Sequence, residues 1–159
     1  VRPLPTYYHD TAMRSRLEAR WAVFFDALGI PWEYEPQGFR LDHGCYLADF
    51  RLWGVLYAEI KPPPSADTTT AFYAQLVRRT AGMHRLLILV DQPRVMWYRV
   101  ICAEPPALRW IDLETCSRRG HPLIIEAAHR PGTEDLAWPH LRFERACMDA
   151  AFHRFGRVV

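Results

Sequence analysis

Apolar positions near the start of the chain recur at helical spacing. Leu17, Trp21, Phe24 and Leu28 fall on one stripe, and Gly29 followed by Pro31 ends the run. This predicts a helix from Thr11 to Leu28. Residues 32–41 read as two short extended pieces broken at Pro36. The period then changes to two in "CYLADFRLW" and "VLYAEIK", which predicts two strands joined across Trp53 and Gly54. Prolines 62–64 have no backbone N–H to donate, so the second strand must end at Lys61 or just beyond. A second helix is predicted from Thr68 to Ala81, with Asp67 as its N-cap. "RLLILVD" is unbroken apolar sequence ending in a turn signal, which suits a buried central strand.

Further strands are expected at 95–102, 107–113 and 122–126, then a loop over 127–139 and a closing helix. The order helix, strands, helix, strand predicts one α/β layered domain with a mixed sheet. Its core would span residues 11–91, with an added β region over 92–138 and a C-terminal helix over 139–156.

Half of the 159 residues are hydrophobic and 13% are aromatic, a globular rather than a disordered composition. A net charge of only +2 permits nucleic acid as a partner without announcing it. No apolar run approaches the length of a membrane span, and the first ten residues contain no apolar leader segment. The expectation is therefore a cytoplasmic protein with no membrane partner and no nucleotide cofactor. Cys45, Cys102, Cys116 and Cys147 have no C-x-x-C spacing and read as buried thiols in a reducing compartment. Trp21, Trp53, Trp97, Trp110 and Trp138 read as core or rim packing, and His43 as a loop residue near the Gly44 turn.

Strand parity brings the chemistry forward. Tyr57, Glu59 and Lys61 share one strand face, opposite Leu56, Ala58 and Ile60. Over 46–52, Tyr46, Ala48, Phe50 and Leu52 share a face, leaving Asp49 on the more polar side. A two-residue connection would set Asp49 and Glu59 on opposite faces. A three-residue connection pairs 52 with 56 and 49 with 59, side by side. Like charges at that spacing repel, which requires a bulge or three-residue loop with something positive between the acids. Lys61 lies too far along the strand to neutralise both. A divalent ion would do so, and all-oxygen ligation selects Mg²⁺ or Mn²⁺.

Lys61 is the single lysine in a chain that has twenty Lys and Arg residues. Its ammonium is a compact point charge able to touch a water or a phosphate oxygen, whereas a guanidinium favours forked pairing. The D-x(9)-E-x-K spacing alone is a weak signal. The unique lysine and the preceding helix, which carries Glu18, strengthen it. Arg14 stands at the i,i+4 distance for a pair with Glu18, and Arg16 and Arg20 are candidates for DNA backbone contact.

The set "RSRLEARWAVFFDALGI", "YLADF" and "AEIKP" resembles the PD-(D/E)XK nuclease superfamily, in particular a small phage and actinobacterial branch with similarity to phage junction-resolving endonucleases. The resemblance implies a restriction-endonuclease-like core over residues 11–91. It makes Asp49, Glu59 and Lys61 the motif residues and Glu18 the helix acid, with Ala48 where the family has proline. Only Cys116 remains of the C-x-x-C pair that relatives carry in this region. Asp49, Glu59 and the Ile60 backbone carbonyl would hold Mg²⁺ or Mn²⁺, with Glu18 completing a second or water-mediated site. Gln75, Arg78 and Arg16 are the expected substrate-binding residues. The implied function is a metal-dependent DNA endonuclease of phage or mobile-element origin, leaving 5′-phosphate and 3′-hydroxyl ends. The alternatives are a Holliday-junction resolvase acting as a homodimer, an RNA processing nuclease, or a catalytically silent nucleic-acid-binding module.

Overall fold

The first apolar stripe folds as helix α1 (Arg16–Leu28), which starts at Arg16 rather than at Thr11. The computed structural model describes residues 4–42, 44–63, 68–94, 96, 98–103, 107–122, 124–125 and 141–155. Ser15 fixes the helix start: it is extended (φ −142°, ψ 156°), and its side chain accepts the Glu18 N–H as an N-cap. Upstream of it, β1 (Thr6–Tyr8) and β2 (Thr11–Met13) form an antiparallel hairpin turned at His9 and Asp10, whose φ values are 45° and 59°. Left-handed backbone at both turn positions matches the twist that a two-residue hairpin needs. At the other end Gly29 adopts φ 67°, and the N–H groups of Gly29 and Ile30 close on Asp26 and Phe25 carbonyls at 2.9 and 2.8 Å.

The alternating segments build a seven-stranded mixed sheet in the order β11-β10-β9-β8-β7-β6-β3. Its members are β3 (Trp32–Tyr34), β6 (Phe50–Leu52), β7 (Leu56–Lys61), β8 (Arg85–Val90), β9 (Tyr98–Cys102), β10 (Ala107–Ile111) and β11 (Ile124–Ile125). β7 and β8 run parallel, joined by helix α2 (Thr68–Arg79), while the other described pairs are antiparallel. β8, the wholly apolar run, is the middle strand, as its composition predicts.

Each face of the sheet has its own core. Leu56, Ala58, Ile60, Leu87 and Leu89 pack with Trp21, Phe24 and Phe25 of α1 and with Phe143 of helix α4 (Leu141–Phe152). Tyr57, Leu86 and Ile88 pack with Tyr73, Leu76 and Val77 of α2. The second face is also covered by a separate hairpin, β4 (Gly38–Leu41) with β5 (Gly44–Leu47), through Phe39 and Tyr46, and by Ala48 just after it.

Three expectations need correction. Residues 46–52 are not one strand: β5 ends at Leu47 in the hairpin and β6 begins at Phe50 in the main sheet. Ala48 therefore belongs to the α2-side core and Phe50 to the α1-side core, so the chain changes layers at Ala48 and Asp49. The region after β8 is not β alone, because Asp112 precedes a short helix α3 (Leu113–Arg119) and accepts from the Thr115 hydroxyl at 2.6 Å. Cys116 is buried as expected, but Cys45 is exposed. The expectations for His43, Asp67, Trp97, Trp138 and the 127–139 loop lie outside the described residues.

The β6–β7 connection is the three-residue form, with Leu52 opposite Leu56, Arg51 opposite Tyr57 and Phe50 opposite Ala58. Trp53 (φ 49°) and Gly54 (φ 70°) both take left-handed backbone to make the turn. A Cβ on Gly54 meets nothing within 4 Å, so the cost of Gly54→Ala is conformational alone. We expect a loss of about 1–2 kcal/mol. In urea denaturation the midpoint should fall with an unchanged slope, and an unchanged midpoint would refute the assignment of strain to this turn.

Candidate functional site

The β6–β7 ladder stops at Phe50 and Ala58, and Asp49, in the bend just before β6, lines one cleft with Glu59 of β7. Both carboxylates are buried, at 4% and 6% exposure, and Glu18 joins them at 8%. A cleft of ≈ 480 Å³ brings the three acids together with Lys61, Arg14 and Tyr73. Buried charges of this kind are tolerated only when paired and hydrogen-bonded.

The pairing is complete for each acid. The Ile60 N–H donates to Asp49 Oδ2 at 2.7 Å, and Arg14 Nη2 lies 2.6 Å from Oδ1. Glu59 accepts from the Tyr46 hydroxyl at 2.6 Å and the Tyr73 hydroxyl at 2.9 Å, and Lys61 Nζ sits 2.6 Å from its Oε1. Glu18 accepts from the Ser15 hydroxyl at 2.7 Å, the Tyr34 hydroxyl at 2.5 Å and the Arg14 N–H at 3.2 Å. The third residue of α1 thus caps its own helix and borders the cleft at once.

The positive charge beside Asp49 comes from a residue that the sequence reading had assigned elsewhere. Arg14 precedes the helix, and its guanidinium bridges Asp49 to Glu35, whose Oε1 lies 2.7 Å from Nε. Tyr46 and Tyr73 were also missed as site residues. Tyr46 comes from the inserted hairpin and Tyr73 from α2, and neither placement follows from strand parity. The Ile60 backbone reaches the cleft through its N–H, the contact already described.

Gln75 lines a neighbouring cleft, together with Arg79 rather than Arg78. Arg78 and Arg16 are exposed and line neither cleft. Arg20 is turned inward, donating to Gln92 Oε1 at 3.0 Å.

Burial, then the facing charge of Glu59, pushes the Asp49 carboxyl up to about 7, against the lowering effect of the Ile60 N–H. Burial pulls Lys61 down, but its hydrogen bonds to Glu59 and Tyr73 outweigh this and hold the ammonium above the usual lysine range. Burial likewise raises the Tyr73 hydroxyl to about 12. At neutral pH the cleft therefore holds a cationic lysine, protonated tyrosines and one carboxyl poised to titrate.

The donor set is hard oxygen, with three carboxylates facing two cations, which suits a divalent ion chemically. Among the described residues, however, no group of three or more His, Cys, Asp or Glu side chains stands arranged to hold a metal. Arg14, Lys61 and the tyrosines occupy the carboxylate oxygens instead. None of the described helices is long and apolar enough to cross a membrane. No protein-family model, no curated protein and no solved structure matches the chain.

A pH prediction follows from Asp49. Its folded value near 7 lies above the unfolded value of roughly 3.9, so its contribution to stability is complete below the unfolded value and lost as pH rises through about 7. Asp49→Asn cannot ionise. In denaturant melts without divalent ions, wild-type stability relative to the variant should fall by on the order of 3 kcal/mol between about pH 4 and about pH 8. A flat difference would mean that Asp49 titrates as it does in the unfolded chain.

Proposed function

We propose that the protein is a divalent-metal-dependent deoxyribonuclease of the PD-(D/E)XK type, hydrolysing phosphodiester bonds to 5′-phosphate and 3′-hydroxyl ends. The observation that carries this reading is the meeting of Asp49, Glu59 and Lys61 from adjoining strand segments in one cleft, with Glu18 delivered by α1. The order α1, β3, β6, β7, α2, β8 supports it, because this is the helix, three strands, helix, strand sequence of a restriction-endonuclease-like core. The β4–β5 hairpin is then an insertion between the first and second core strands.

Asp49 and Glu59, with the Ile60 carbonyl, would hold Mg²⁺ or Mn²⁺, and Glu18 would contribute directly or through water. Such an ion lowers the pKa of a water and offsets charge on the phosphoryl oxygens. Arg14 must leave Asp49 for the carboxylate to become a ligand, and its side chain is 55% exposed, with open solvent to move into. Lys61 stays protonated, so it serves as a hydrogen-bond donor and fixed positive charge, orienting the attacking water and a phosphoryl oxygen rather than removing a proton. The water oxygen bonds to phosphorus and releases a proton to solvent, the bond from phosphorus to O3′ breaks, and O3′ takes up a proton from solvent.

The test is incubation with supercoiled, linear, single-stranded and four-way DNA in Mn²⁺ or EDTA. Wild type should cut in Mn²⁺ only, and Lys61→Ala should lose roughly 100-fold or more in rate, the usual cost of one electrostatic contact to the transition state. Asp49→Asn should also lose the Mn²⁺-induced rise in melting temperature. Cleavage that survives EDTA or Lys61→Ala would overturn the mechanism, and a wild type that binds DNA without cutting any of the four substrates would identify a binding module instead.

A further inference from the structure

Beside the acidic cleft lies a second one of ≈ 400 Å³, walled by the β4–β5 hairpin and α2. Its size falls in the roughly 300–1,000 Å³ range of small-ligand sites. From α2 it receives Phe72, Gln75, Leu76 and Arg79, which stand at i, i+3, i+4 and i+7 and so form one helix face. From the hairpin it receives Arg40 and Asp42. Leu76 is buried and forms part of the apolar floor.

Two features of this cleft lack a structural purpose. Phe72 is 59% exposed on a helix whose next residue, Tyr73, is buried. Its ring lies edge-on to Tyr73, with centroids 5.1 Å apart at 78°, and its exposed surface is not spent on the core. The Arg40 and Arg79 guanidiniums make no ion pair or hydrogen bond among the described residues. Arg16 and Arg78 are equally unpaired among the described residues, but Arg40 and Arg79 are the two that line this cleft together. Two uncommitted guanidiniums against one carboxylate, Asp42, leave the cleft cationic. The acidic cleft next door has the opposite balance.

Phe72 lines both clefts, and the hairpin walls both, with Arg40 on one strand and Tyr46 on the other. A strand whose phosphate sits over Asp49 and Glu59 would pass directly across the Phe72 ring into the basic cleft. We propose that this cleft is a subsite for one unpaired nucleotide of the DNA strand flanking the scissile phosphate. Its base stacks on Phe72, its phosphate pairs with Arg40 and Arg79, and the Gln75 amide meets the base edge. A duplex keeps its bases stacked on one another, so the subsite selects single-stranded, frayed or branched DNA. The inference rests on the nuclease reading of the neighbouring cleft and adds the substrate class to it.

Fluorescence anisotropy in Ca²⁺, with a labelled single-stranded oligonucleotide and a blunt duplex of the same sequence, tests it. Phe72→Ala should weaken single-strand binding by about tenfold, the scale of one lost base–aromatic stack, and leave duplex binding nearly unchanged. The double variant Arg40→Ala/Arg79→Ala should weaken both and lower the single-strand salt slope by about 0.7, for the one phosphate the pair holds. All the substituted side chains are exposed, and an unchanged melting temperature checks that the variants are folded. Equal losses on both DNAs for Phe72→Ala, or no loss on either, would overturn the subsite. If wild type still cuts in Mn²⁺ in that case, the nuclease reading survives. If the Phe72-dependent preference holds while wild type cuts nothing, the subsite stands and the nuclease reading fails.

Discussion

Two buried carboxylates brought into one cleft, Glu59 on β7 and Asp49 in the bend that enters β6, are the constraint from which the rest of this structure follows. Two full charges roughly 5 Å apart repel by about 3 kcal/mol at an effective dielectric constant near 20. Burial adds the cost of desolvating both. A fold that keeps Asp49 and Glu59 together must therefore supply donors from every side, and it draws them from four separate elements. The Ile60 N–H comes from β7 itself, Arg14 from the turn before α1, Tyr46 from the inserted hairpin and Tyr73 from α2.

That demand explains features that look unrelated. The chain changes layers at Ala48 and Asp49, which sends Tyr46 back over the β7 face, where its hydroxyl reaches Glu59. α1 begins at Arg16 because Ser15 and Glu18 cap one another, and the same cap fixes the Arg14 backbone, whose N–H meets both Glu18 and the Tyr34 hydroxyl. The start of the helix and the position of the guanidinium are thus set by one local network. Moving either would leave a buried acid without its partner, a far larger cost than losing a helix cap alone.

The parts of the fold that were legible in the sequence are those governed by a fixed period. The parity of β7 follows from alternation, and the three-residue turn follows only once Asp49 and Glu59 are taken to share a site, because the two-residue form would part them. The start of α1 was misread because apolar spacing does not register caps, although Ser15 and Glu18 in S-x-x-E spacing were there to be weighed. Residues 46–52 were misread for a subtler reason. Tyr46, Ala48, Phe50 and Leu52 alternate as one strand would, yet the first two belong to one core and the last two to the other. Alternation reports that side chains are buried, not which layer buries them. Arg14 and Tyr73 reach the cleft through turns and a crossover, and no local pattern encodes such contacts.

The two cations of the cleft show why one is arginine and the other the chain's lone lysine. Arg14 uses the fork of its guanidinium, with Nε on Glu35 and Nη2 on Asp49, and so ties two segments together as a planar bidentate group can. Lys61 has one carboxylate within reach, Glu59, and packs its ammonium 5.4 Å from the centre of the Tyr73 ring. An ammonium carries three donors, so its bonds to Glu59 and Tyr73 leave one hydrogen free for a further acceptor. A guanidinium in its place would fill the space beside Glu59 and fix its donors in one plane. The raised affinity of Lys61 for its proton keeps those donors present at neutral pH. The same position that neutralises a buried acid is therefore equipped to hold an anionic oxygen, without any rearrangement of the strand that carries it.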